Sequence, residues 1–315
     1  MKSYKLSAIV TFCNQKQFIQ QAIDNILAQE VNFPYEILIG VDGDKDQDTL
    51  SILAKYTEKY KFIKMQMFNS SQELIGLSRA SRNRYALAKK ATGQYITFLD
   101  GDDFYMSKEL FHKAVRFLDC NFEYIGYAHA HQIYNDKTKE FGQIIRPFQM
   151  NSIFRGKDQL VDKKYLFSND CVFRNYFDFH NLDYVDRDYL NDTTLVLWYL
   201  QYGDIFFNPE PMLAYRTNID SIYTGKPWIE KRLSELIVLE ESCRLFPKYK
   251  NIFKDRVKKQ VTNIINGDIK YSKLPTCYYK HCARRKLKIS SSVLKYIGNQ
   301  GIFENISIQT KLLFL

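Results

Sequence analysis

The sequence predicts an α/β fold with a mostly parallel sheet, helices on both faces and a helical appendage. Three observations carry this. Short apolar runs rich in β-formers alternate with amphipathic segments of ten to fifteen residues through the first hundred positions. Acidic residues collect where those apolar runs stop, as in "YEILIGVDG" and "QYITFLDGDDFYM". Beyond Trp228 the chain turns helical and basic. At 315 residues it has room for one large domain or a domain with an extension.

The elements follow in order. "LSAIVTF" (Leu6–Phe12) reads as a buried strand, and "QKQFIQQAIDNILAQ" (Gln15–Gln29) sets Phe18, Ile19, Ala22, Ile23, Ile26 and Leu27 at helical spacing. "YEILIGVDG" is a second strand ending in Asp42, "DTLSILAKYTEKY" a helix and "KFIKMQMF" a weaker third strand. "SRASRNRYALAKKATG" (Ser78–Gly93) is a helix for which Gly93 serves as the stop, and "QYITFLD" (Gln94–Asp100) is the next strand. After Asp103 the alternation loosens. "KELFHKAVRFLD" is a helix, while "YIGYAHAHQIY", "KEFGQIIRPFQ" and "NDCVFR" suggest strands of a mixed sheet or flap. "DTTLVLWYLQYGD" is a helix in which Trp198 belongs to the core, and "IFFNPEPMLAYR" is expected as two strands broken at Pro209 and Pro211. "NIDSIYTGKP" (Asn218–Pro227) reads as a loop, which places the domain boundary at residues 225–226. There is no internal repeat and no low-complexity tract.

Composition narrows the partners. Hydrophobic residues make up 45% of the chain, enough for a sizeable core. The 23 Tyr and 23 Phe against 2 Trp fit an aromatic core, and aromatic surfaces also suit sugar rings. The net charge of +10 gathers late, in "KYKNIFKDRVKK" and "KHCARRKLK", without any nucleic-acid-binding module beside it, so nucleic acid is not an expected partner. Six scattered cysteines indicate a reduced, cytosolic setting, and "CYYKHC" lacks the second half of a zinc site. The N-terminus shows no secretory signal, and no window reaches the length of a membrane span. "WIEKRLSELIVLEESCRLF" (Trp228–Phe246) is amphipathic: it packs on its own domain, docks on an anionic membrane surface, or mediates self-association.

The densest signal is Asp100, Asp102 and Asp103, three carboxylates within four positions at a strand end. Like charges that close raise one another's pKa unless a cation lies between them. Either this is a very acidic surface loop, or a hard divalent ion with oxygen ligands belongs there. In parallel α/β sheets ligands sit beyond the carboxyl ends of the strands, where Thr11, Asn14 and Asp42 are also expected. A Rossmann dehydrogenase is disfavoured because "TFCNQKQ" replaces the glycine fingerprint after the first strand. A phosphoesterase with paired aspartates would carry them after its first strand, and a sugar nucleotidyltransferase would carry a Gly-rich, Arg-containing loop near its N-terminus.

"VTFCNQKQFIQQAIDNILAQ", "YEILIGVDGDKDQDT", "GLSRASRNRYALAKKATGQYITFLDGDDFY" and "NDTTLVLWYLQYGDIFFNPEPMLAYR" together resemble the successive motifs of family 2 of the inverting GT-A-fold glycosyltransferases. The resemblance covers about two thirds of the chain, Lys5 to Gly225. It implies a GT-A domain over 1–225 with a helical basic region over 226–315. It further implies a metal-dependent transfer of a hexosyl or N-acetylhexosaminyl group from a nucleotide sugar, with a uridine-linked donor expected, to a hydroxyl of a glycan or lipid-linked acceptor. Thr11 and Asn14 would cradle the nucleoside and Asp42 would accept a hydrogen bond from uracil or ribose. Arg82, with Asn83 beside it and Arg79 as its competitor, would lie near the nucleotide. Asp100 and Asp102 form the Asp-x-Asp that binds donor and Mn²⁺ or Mg²⁺, with Asp102 the direct ligand and Asp103 a supporting acid. Asn191-Asp192 stands at the family's Glu-Asp pair, which makes Asp192 the general base, with helix capping as its structural role and Asp186 and Asp188 as rivals. Tyr215-Arg216 matches a terminal Tyr-Arg, which puts Arg216 either near the diphosphate or in a structural ion pair. His129 and His131 are expected to be structural. The implied setting is bacterial surface polysaccharide, lipopolysaccharide or capsule assembly, in the cytoplasm or peripherally at the inner face of its membrane. The alternative is an inactive scaffold of the same fold that binds glycan or a membrane surface.

Overall fold

A computed structural model describes residues 4–13, 15–43, 47–69, 76–160, 165–177, 191–217, 227–266 and 274–298. The chain forms two compact units, Met1–Ser70 with Ser78–Asn218, and Ser71–Leu77 with Ile219–Leu315. The change of unit at 218/219 falls a few residues before the boundary expected at 225–226, and the loop between lies outside the described residues.

The larger unit is built on one ten-stranded sheet. Its strands are β1 (Tyr4–Phe12), β2 (Tyr35–Asp42), β3 (Ile63–Phe68), β4 (Gly93–Asp100), β5 (Phe104–Tyr105), β6 (Tyr124–Asn135), β7 (Glu140–Ile145), β8 (Ser152–Phe154), β9 (Cys171–Arg174) and β10 (Asp204–Thr217). Their order is β3-β2-β1-β4-β9-β6-β10-β5, with β7 on β6 and β8 on β10. β3, β2, β1 and β4 are mutually parallel. β9 is antiparallel to both β4 and β6, so β6 regains the direction of β4, and β10 runs parallel to β6. The six longest-range strands therefore point one way, which sends their carboxyl ends to a single edge.

Both faces are covered. Helices α1 (Ile19–Leu27), α2 (Gln47–Lys59) and α4 (Leu110–Cys120) bury Ile19, Ile23, Ile26, Leu53, Phe111 and Leu118 against the alternate residues Leu6, Ala8 and Val10 of β1. Each such side chain contributes about 1.5–3 kcal/mol of transfer free energy. On the other face α3 (Gly76–Ala88) sets Leu87 against Gly40, and α5 (Asp192–Tyr199) stacks Tyr199 on Phe173 with ring centroids 3.9 Å apart. Trp198 is buried in that layer, as expected.

Two local expectations are corrected. Gly93 is not a helix stop: α3 ends at Ala88, and Gly93 opens β4, where a Cβ would lie 2.5 Å from the Ser7 amide nitrogen. The pair of strands expected around Pro209 and Pro211 is one strand, β10. Its pairing with β6 shifts register between Asn208 and Pro211, a bulge that accommodates residues unable to donate to the ladder.

The smaller unit consists of α6 (Trp228–Leu245), α7 (Lys250–Ile265), α8 (Thr276–Arg285) and α9 (Lys288–Gly298). α6 buries Leu233, Leu236 and Ile237 and packs on α7 and α9. Glu240 on α6 accepts from the Ile289 and Ser290 amides, which satisfies the first turn of α9. All six cysteines are free thiols. Among the described residues no helix is long and apolar enough to cross a membrane.

Candidate active site

The carboxyl edge of the sheet brings the predicted residues of β1, β2 and β4 together. Thr11 and Asp100 are register partners on adjacent strands, and the Gly101 amide donates to the Thr11 carbonyl at 2.9 Å. The tight turn that follows is closed by Asp103 N donating to Asp100 O at 2.9 Å. Gly101 is required by close approach, since a Cβ there would stand 2.0 Å from the Phe12 ring. One strand over, Asp42 ends β2, buried, with Arg79 Nε 3.3 Å from its Oδ2. Arg79, the competitor of Arg82, is thus the arginine at the expected nucleoside acid. Asn14 lies outside the described residues.

The three acids of the loop take different roles. Asp100 accepts from Arg84 Nη2 at 3.0 Å on one oxygen and from Asn169 Nδ2 at 3.0 Å on the other. Asp103 is 2% exposed, accepts from the Arg216 amide at 2.9 Å and also receives Asn169 Nδ2 at 3.2 Å. Burial, followed by the charges of Asp102 and Asp100, holds its carboxyl well above the ordinary range. Enclosed in this way, Asp103 supports the loop, whereas Asp100, whose oxygens are also engaged, stays 31% open at the turn. Asp102 is half-buried at the turn.

Of the two places expected for Arg216, the structure shows the ion pair. Its guanidinium does not reach out from the edge but is buried, with Nε donating to the Asp102 carbonyl at 2.5 Å and Nη2 to Gln21 Oε1 at 2.5 Å. It also pairs with Asp136 and lies over the Phe18 ring, 4.2 Å from its centroid. Arg216 on β10 therefore fastens the acidic turn to α1 and, through a structural ion pair, to Asp136 just after β6.

The general-base candidate sits opposite. Asn191 is the N-cap of α5, accepting from the Thr193 and Thr194 amides at 3.1 and 3.0 Å, while Thr194 Oγ1 accepts from the Asn191 amide at 3.0 Å. Capping was expected of Asp192, but Asn191 does it, and the Asp192 carboxylate turns instead to Arg84 Nη2 at 2.7 Å. Arg84 is buried and joins Asp192 to Asp100. Burial pushes the Asp192 carboxyl above its usual range, Arg84 pulls it back, and Asp100 and Asp170 add to the push. Its side chain remains 37% exposed, open to a substrate hydroxyl. The rivals Asp186 and Asp188 lie outside the described residues.

Arg84, Asn169 and Asp170 were not anticipated. Arg84 stands two positions from the expected Arg82, about 200° around the helix, so the two cannot share a face; only the placement of α3 selects between them. Asn169 and Asp170 occupy a single 3-10 turn before β9, too short to show periodicity. Asp170 holds His131 Nδ1 at 2.8 Å, and both are buried. His129 contacts the Ala130 carbonyl at 2.9 Å, also fully buried, in keeping with a structural role for both histidines.

The donor set suits a hard divalent ion in one respect. Asp100 and Asp102 offer carboxylate oxygens on one turn, and Mg²⁺ and Mn²⁺ sites commonly use one or two carboxylates with phosphate oxygens completing the shell. Among the described residues there is no group of three or more His, Cys, Asp or Glu arranged as a full protein cage. The residues therefore fit a metal shared with a phosphate ligand.

Comparisons with known proteins identify the family. Residues 7–181 match the model of glycosyl transferase family 2. The chain is 25% identical over 228 residues to an uncharacterized protein of Mycobacterium tuberculosis, Rv1520, covering 69% of this chain and 60% of that one. It is 37% identical over 100 residues to the cholesterol galactosyltransferase of Borreliella burgdorferi, covering 32% and 25% of the two chains. The matches thus span about 60% or less of these relatives' own length. The structure of S. aureus TarS 1-349 in complex with UDP superposes with a TM-score of 0.59 at 16% identity, covering 95% of this chain and 88% of that one. At such identity the likeness is one of fold. With more than half its length matched, the chain belongs to glycosyl transferase family 2.

Proposed function

We propose that this glycosyltransferase is a metal-dependent, inverting enzyme that moves a hexosyl or N-acetylhexosaminyl group from a UDP-sugar to a hydroxyl of a glycan or lipid-linked saccharide. The single observation that carries the reading is the bridge Asp100–Arg84–Asp192, which sets an open carboxylate at a helix start facing the acidic turn of β4. TarS, a relative over 118 residues at 30% identity, is named a poly(ribitol-phosphate) β-N-acetylglucosaminyltransferase, and its structure with UDP-GlcNAc supports the donor class.

Asp192 would take the proton of the acceptor hydroxyl as that oxygen attacks the anomeric carbon, while the bond from that carbon to the diphosphate breaks. One base and one displacement from the opposite side invert the configuration. Asp42 would position the nucleoside. Asp102 and Asp100 would hold Mn²⁺ or Mg²⁺, which when bound supplies charge neutralisation of the departing nucleoside diphosphate. Arg84 keeps Asp192 oriented and anionic between turnovers. Assembly of a bacterial surface glycan at the inner face of the cytoplasmic membrane is the setting we infer by analogy with the family.

The test is a screen of UDP-sugars for hydrolysis and transfer with Mn²⁺ or Mg²⁺. Asp192→Ala should keep UDP binding and lose transfer by a factor of about 10²–10⁴. Asp102→Ala should lose the metal-dependent part of UDP binding. Near-normal turnover by Asp192→Ala would remove the base assignment.

A further inference from the structure

At the other end of the same sheet lies an open cavity, about 440 Å³ in volume, between α4 and the early residues of β6 and β10. That size is within the roughly 300–1,000 Å³ of ligand sites. Its floor is aromatic. Phe117 and Phe206 stack with centroids 4.2 Å apart, and Tyr127 lies 5.7 Å from each. Phe117 and Phe206 are half-buried and pack on the core on one side, so part of each ring faces solvent, while Tyr127 is buried. Around it stand amides and cations: Asn208, donating to the Tyr127 hydroxyl at 2.7 Å, exposed Asn151, and exposed Arg116. Lys113 is matched by Glu109 and Glu210, but Arg116 makes no ion pair among the described residues, and no acid lines the cavity.

We infer that this cavity is a second saccharide site that takes an anionic segment of the acceptor glycan. Aromatic faces pack on the C–H surfaces of sugar rings, amides bond hydroxyls, and an uncompensated guanidinium pairs with a carboxylate or phosphate on the chain. Phe206 and Arg216 are ten positions apart on β10, which at ~3.3 Å per residue separates the cavity from the acidic edge by roughly 30 Å. A single sugar cannot touch both, so an acceptor that reaches both places is a glycan several units long. This site rests on the glycosyltransferase reading for its biological sense, but its binding is measurable without turnover.

The experiment is calorimetric titration of the full chain with hyaluronan hexasaccharide and oligogalacturonate, and with neutral chitohexaose as control, in the presence of saturating UDP and Mg²⁺. Expected is saturable binding of the anionic oligosaccharides, undisturbed by UDP. Arg116→Gln should weaken it about tenfold, the scale of one charge-assisted hydrogen bond, with UDP-induced thermal stabilisation unchanged. Phe206→Ala should weaken it as well, and Arg116→Gln, at an exposed position, decides the matter if Phe206→Ala fails to fold. Binding unaltered in Arg116→Gln, equal binding of chitohexaose, competition by UDP, or no binding of either anionic probe would each overturn the site. Failure of UDP to bind, with oligosaccharide binding intact, would instead count against the donor assignment.

Discussion

Arg84 lies 2.7 Å from Asp192, although the two residues are 108 positions apart and belong to helices on one face of the sheet. The same guanidinium nitrogen reaches Asp100 at 3.0 Å. Removing it would leave two carboxylates without their counter-charge. For a fully buried pair the loss runs to about 3–5 kcal/mol. Both acids are about one-third open, so solvent screening reduces the expected cost of Arg84→Met to roughly 1–3 kcal/mol. Chemical denaturation measures it. The same variant should move the acidic limb of the pH–rate profile upward, because Arg84 opposes the rise of the Asp192 pKa. An unmoved limb would detach Arg84 from the base.

Asn191 caps α5 so that Asp192 need not. Asn191→Ala should cost about 1 kcal/mol of stability, read from the denaturation midpoint. It should also lower kcat more than it raises the KM of the donor, since freeing the first turn of α5 loosens Asp192. Asn191→Asp should restore stability because aspartate caps as well. If both variants leave kcat at the wild-type value, the cap has no part in placing the base.

Gly101→Ala tests the acidic turn. The added Cβ would fall 2.0 Å from Phe12, a buried ring in the core beneath the turn, so either the ring or the turn must shift. A loss of about 1–3 kcal/mol is expected from overpacking. Metal-dependent UDP binding should weaken in parallel, since Asp100 and Asp102 flank that residue. Full stability in thermal melts would show that the packing beneath the turn yields readily.

His131 gives the fold a pH dependence of definite sign. Burial opposes its protonation, but the charge and hydrogen bond of Asp170 outweigh this, and its pKa is raised above 6.5. A histidine raised in the folded state stabilises fully below its unfolded pKa and loses that contribution as pH rises through the folded value. His131→Gln should therefore destabilise most below about pH 6.5. The difference from wild type should shrink through the alkaline side of neutrality. Melting curves across that range check it, and a pH-independent difference would mean that His131 is not charged beside Asp170.

The sequence by itself determined the alternating frame and the acids at the strand ends, because burial of apolar faces has a period that local pattern displays. β1, β2 and β4, Asp42, Asp100 and Asp102 were legible for that reason, as were the motifs that mark the family. What only the tertiary structure decided is which polar groups meet. Arg84 rather than Arg82 reaches the acids because the rotation of α3 about its axis is set by Leu87 packing on Gly40, a contact across the sheet. Arg216 turns inward because Phe18 and Gln21 at α1 and Asp136 after β6 surround it from two distant parts of the chain. Asn169 clamps Asp100 and Asp103 from a turn 66 positions beyond Asp103. A hydrophobic repeat is written along one element, whereas a charge finds its partner only when several elements have been brought together, and that meeting leaves no period in the chain.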